Sequence, residues 1–129
     1  MQESLINHIL QAAQEAAGQL NLAITLTLVD SGGHVRAVLR QEGCSYFALE
    51  SSRQKAVTAS QLRIPSHVVA ELGQRFPALE ASFRANPDIS GLPGGFPVHW
   101  QGLMVGGLGI SGGNFEQDRT IGEAALAGL

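Results

Sequence analysis

The sequence predicts an α+β domain, an antiparallel sheet built from hairpins with helices packed on at least one face. Three observations predict it. Apolar residues at helical spacing occupy both ends of the chain and its middle, period-two alternation occupies residues 22–41 and 96–111, and no parallel strand–helix–strand unit is present. The 129 residues fit one domain, 1–129, large enough to enclose a core.

Taken in order, Leu5, Ile6, Ile9, Ala13, Ala16, Ala17 and Leu20 follow helical spacing, and Gly18 or Asn21 ends that helix. Ile24, Leu26 and Leu28 then alternate with Thr25 and Thr27. Ser31-Gly32-Gly33 supplies a turn, and Val35, Ala37 and Leu39 alternate again, so residues 22–41 read as a β-hairpin. A helix from Tyr46 to Leu62 is expected to turn Phe47, Leu49, Ala56 and Ala59 toward the core. Pro65 stops it and opens another over Ser66–Leu72, and a short helix is expected near Ala78–Arg84. After the turn Asn86-Pro87-Asp88 and the loop Leu92–Pro97, the segments around FPVHW and LMVGGLGIS flank a Gln101-Gly102 turn as a second hairpin. The last helix runs from Asn114 to about Ala127, with Asn114 as N-cap and Gln117 three residues on, the spacing of a capping box. The expected order is α-ββ-α(α)-βββ-α.

Composition narrows the function. A net charge of −3, a pI near 5.7 and the absence of any Lys/Arg cluster give no reason to expect nucleic acid. Cys44 is the only cysteine, so neither an internal disulfide nor a cysteine metal cluster is possible. No apolar run approaches the length of a membrane span, and the N-terminus reads as an amphipathic helix instead of a signal peptide. A cytoplasmic protein without membrane contact is the expectation. Charged residues make up only 15% of the chain, well below the usual quarter, which implies that part of the surface is covered in a homo-oligomer. A dimer, tetramer or octamer with two-fold interfaces is expected. The first helix and the strand carrying Phe96, Val98 and Trp100 are the candidate contacts.

The chemistry-bearing residues are few. No nucleophile elbow, zinc-protease helix or phosphate-binding lysine loop is present, and GLGISG lacks the parallel unit of a dinucleotide fold. The strand 102–113 holds six glycines in twelve residues, so either another backbone or a ligand lies tight against it. Gly112, Gly113 and Asn114 present backbone N–H groups at a helix start, an anion-binding arrangement, although Glu116 and Asp118 already answer the helix dipole. Of the four histidines, His34 beside the Gly-Gly turn is the candidate metal or ligand contact. His8 and His67 read as solvated, and His99 fits either a surface or a cleft. Lys55 is the only lysine and shares one helical turn with Gln54 and Thr58, which reads as a solvated polar face.

Four stretches, VDSGGHVRAVLRQEG, QKAVTASQLRIPS, GLPGGFPV and GLMVGGLGISGGNFEQD, occur in one order and together resemble the GlcG/HbpS/PduO-C-terminal (haem-degrading) family over residues 3–125. The resemblance implies a profilin-like sandwich with a five-stranded antiparallel sheet, and homo-oligomers. It also implies haem as a possible cofactor, with His34 as axial ligand and Arg40 and Lys55 as propionate partners. Thr58, Gly112, Gly113 and Glu116 complete the implied ligand-binding set, whereas His67 and His99 match no part of the pattern. Family members are linked to haem binding, oxidative haem degradation, glycolate genes, or cobalamin-dependent diol and glycerol use. The expected function is therefore a haem- or small-molecule-binding accessory protein. The alternative is an enzyme acting oxidatively on haem or on a small metabolite, with Glu116 or Asp118 and His34 or Lys55 as its acid–base candidates.

Overall fold

Five helices and four strands make up the computed structural model, which describes residues 1–129. In order they are α1 (Glu3–Gln19), β1 (Thr25–Asp30), β2 (Val35–Arg40), α2 (Tyr46–Leu62), α3 (Ser66–Arg75), α4 (Pro77–Arg84), β3 (Gly95–Trp100), β4 (Leu103–Ser111) and α5 (Phe115–Leu126). The strands form one antiparallel sheet in the order β2-β1-β4-β3. It has four strands, not the five expected, because the chain before β3 is not laddered. Its N–H groups are satisfied locally instead: Ser90 N donates to Thr58 Oγ1, Asp88 N to the Asn86 carboxamide, and Leu92 N to Ser90 Oγ.

Both faces of the sheet are covered. On one side α1 and α5 pack Leu5, Ile6, Ile9, Ala13, Ile121 and Ala125 against Leu26, Leu28, Leu108 and Ile110. On the other side lies α2, with the start of α3 against β3, and α2 buries a different kind of surface. Thr25, Thr27, Ser51, Ser52, Lys55, Ala56, Thr58, Ala59 and Ser60 are all buried there. The expected core face of α2 is corrected accordingly: Ala56 and Ala59 do face inward, Leu49 is half-buried, and Phe47 is 71% exposed.

The glycines of β4 explain that inversion. A Cβ on Gly109 would overlap the Ser52 carbonyl oxygen, and one on Gly107 would overlap that of Ala56. The backbone of α2 therefore rests directly on the backbone of β4, closer than any side chain permits. Only small residues fit a helix face so near a sheet, and the remaining polar contacts are satisfied across it, as in the 2.8 Å bond between Thr27 Oγ1 and Ser52 Oγ. For Gly107 and Gly109 the question left open by the sequence is settled: another backbone, not a ligand, occupies the space.

Candidate functional site

Where β4 ends and β3 begins, Lys55 crosses from the α2 face toward α5. Its Nζ donates to the Ile110 carbonyl at 2.7 Å and to Asp118 Oδ2 at 3.1 Å, with both side chains almost wholly enclosed. Asp118 Oδ1 accepts from Gly113 N at 2.8 Å. Burial pushes the Lys55 ammonium below its usual range, opposed by Asp118. Burial likewise pushes the Asp118 carboxyl up, opposed by Lys55 and by the Gly113 N–H. Each group favours the charged form of the other and so offsets part of the cost of burying it. The expectation of a solvated Lys55 is thus corrected: the ammonium is a strut joining both layers, with no face open to a propionate.

The remaining candidate residues do not gather into one cluster. Thr58 is buried, donates to Gln54 O and accepts from Ser90 N. Arg40, at the end of β2, donates to the Cys44 carbonyl at 2.7 Å. Gly112 adopts φ +123° and lies against Ala23, Ile24 and Cys44, so a side chain there would be strained. The capping box of α5 forms as expected, with Asn114 and Gln117 bonded reciprocally, and it leaves Glu116 exposed on the first turn. Arg40, Gly112, Gly113 and Glu116 therefore share one end of the sheet. His34 stands at the other end, beyond Asp30, and five residue steps of β1 put roughly 16 Å between those ends.

At its own end, His34 is 82% exposed with Nδ1 3.3 Å from Asp30 Oδ1. That carboxylate also accepts from the N–H groups of Gly32 and His34, at 2.9 and 3.0 Å. The backbone N–H of His34 chiefly holds the Asp30 carboxyl below its usual value. A group depressed in the folded state stabilises above the unfolded carboxylate range, and loses that contribution as pH falls through its folded value. Protection from amide exchange at Gly32 and His34, taken relative to the intrinsic rate at each pH, is therefore expected to fall on acidification before protection in β4 does. A simultaneous fall in both would show that the turn has no separate acid limit.

A different histidine faces a cavity. His8 of α1 lines a cleft of about 290 Å³ with Ser4, Leu5, Trp100, Gly128 and Leu129. Sequence reading missed this site because His8 sits on the exposed side of α1, and only the fold brings Trp100 of β3 beside it. A second cavity, about 370 Å³, opens between α3, α4 and the loop at Ile89–Leu92 and holds no histidine. His67 packs edge-on to Phe96, and burial lowers its basicity. No cluster of three or more His, Cys, Asp or Glu side chains is placed to hold a bare metal ion.

A model of the family described as haem degrading protein HbpS-like matches residues 1–127. The chain is 32% identical over 117 residues to the 15.0 kDa protein of the dhaT–dhaS intergenic region of Citrobacter freundii, covering 90% of this chain and 82% of that one. It is 29% identical over 127 residues to the corrinoid adenosyltransferase PduO of Salmonella typhimurium, covering 96% of this chain but only 37% of that protein. Among solved structures, the PduOC:haem complex superposes with a TM-score of 0.89 at 27% identity, covering all of this chain and 94% of that one.

Proposed function

This chain belongs to the HbpS-like family, and from that membership we propose that it is a haem-binding accessory protein. The observation that carries the reading is the His8 cleft. Haem asks a protein for an axial ligand and for apolar cover, and here an imidazole stands beside Leu5 and Trp100. The cleft thus offers an axial ligand and apolar cover, though no cation for the propionates. When bound, haem supplies redox-active iron. The chain's own contribution would be the His8 imidazole as ligand and Trp100 with Leu5 as apolar cover. His34 is the competing ligand, favoured by Asp30 behind its Nδ1, an arrangement that leaves Nε2 free and orients it. Arg40 and Lys55 support neither site directly, since one stands at the far end of β2 and the other is enclosed.

Haemin titrated into the protein is expected to give a saturable Soret shift. That shift should be lost in His8→Ala and kept in His34→Ala. The opposite pattern moves the axial ligand to His34, and no shift in the parent protein defeats the haem reading.

The relatives' names support a place beside diol or glycerol metabolism. PduO is a corrinoid adenosyltransferase, and the dhaT–dhaS neighbour is of similar length to this chain. The family description also favours a second reading, oxidative turnover of haem. Peroxide would then bleach the Soret band of the complex faster than it bleaches haemin on albumin. Equal rates leave binding alone. We also propose that the chain forms a homo-oligomer, supported by the low charge fraction and by the exposure of most of its large aromatic surface.

A further inference from the structure

Aromatic side chains are scarce in this chain and mostly unburied. Of one tryptophan, one tyrosine and five phenylalanines, only Phe96 is buried, while Tyr46, Phe47, Phe76 and Phe115 are exposed. The three most exposed lie at one end of the fold. Tyr46 (78%) and Phe47 (71%) open α2, and Phe115 (60%) opens α5. The loops that lead into these two helices meet, since a Cβ on Gly112 would lie 3.6 Å from Cys44 Sγ.

We propose that this end of the molecule is where a second copy of the chain packs, about a two-fold axis through the three rings. The inference rests on the homo-oligomer reading above and names its surface. Area supports it. Three largely exposed aromatic side chains offer about 400 Å², roughly half of the ~800 Å² that each partner contributes to a stable interface.

Charge supports self-pairing over other occupants. Neither Gly43–Ala48 nor Gly112–Phe115 contains a charged residue. Exposed Arg40 flanks the patch on the β2 side and exposed Glu116 flanks it on the α5 side. A two-fold axis brings Arg40 of one copy to Glu116 of the partner subunit, and the reverse. An anionic membrane is disfavoured by Glu42 and Glu116 beside the rings and by the net charge of −3.

Light scattering at micromolar concentration tests both levels. The parent protein is expected to run as a multiple of 13.6 kDa. Phe47→Ser combined with Phe115→Ser should at least halve that mass with an unchanged circular dichroism spectrum, since both side chains are exposed. Arg40→Glu should weaken association at least tenfold, and adding Glu116→Arg should restore it. A parent protein at 13.6 kDa overturns the oligomer reading and this surface together. An oligomer that ignores the serine pair, while Trp100→Ala dissociates it, overturns this surface alone. A charge reversal without rescue overturns the two-fold pairing.

Discussion

Alanine at Gly109 is expected to unfold this protein or leave it barely stable. The added Cβ would overlap the Ser52 carbonyl oxygen and crowd Ala56 N at 2.7 Å, and both of those atoms are backbone of α2. No rotamer change relieves such a clash, so the whole helix must lift from the sheet. Lifting α2 exposes Ala56 and Ala59 and breaks the Thr27–Ser52 bond. A loss of about 3–5 kcal/mol follows, a large share of the ~5–15 kcal/mol available to a native domain. Gly18→Ala is the control, because nothing lies within 4 Å of its added Cβ. Within α1 that change should be neutral or stabilising by up to about 1 kcal/mol. Urea unfolding reads both. A Gly109→Ala midpoint equal to the parent's would show that α2 does not rest on the strand as described.

Removing Lys55 is the second large effect. Lys55→Met leaves Asp118 enclosed with only the Gly113 N–H to satisfy it, and breaking a buried pair in this way costs about 3–5 kcal/mol. The variant should also respond to pH with a distinctive sign. With the cation gone, burial is opposed only by the Gly113 N–H, and the folded value of the Asp118 carboxyl rises further above the unfolded one. A raised folded value means that stability is gained as pH falls through it and lost as pH rises. The stability gap between Lys55→Met and the parent should therefore narrow on acidification from neutral pH. A further Asp118→Leu change should remove that pH response and recover part of the loss, because no charge then remains buried without a partner. A gap that stays constant from neutral to acidic pH would show that Asp118 escapes to solvent.

Much of this architecture was legible in local sequence. The end of α2 follows from the stop at Pro65, and the capping box of α5 follows from Asn114 and Gln117. Both hairpins follow from alternation around short turns. These are signals within a few residues, where backbone preference and side-chain spacing act directly. The inward face of α2 was not legible, because periodicity assumes that apolar residues go inside. Against a glycine strand the depth of burial is set by backbone approach, so serine, threonine and the single lysine went in and Phe47 stayed out.

The candidate site divided along the same line. The sequence by itself determined the family pattern, the turn that orients His34 and the cap that positions Gly113 and Asp118. Only the tertiary structure decided which of those residues meet. A sheet has two ends, and the register of β1 with β2 and β4 sends His34 to one and Arg40 and Gly112 to the other. It also brings Trp100 beside His8 and Lys55 onto Asp118, residues 92 and 63 positions apart in the chain, distances over which no local spacing carries information.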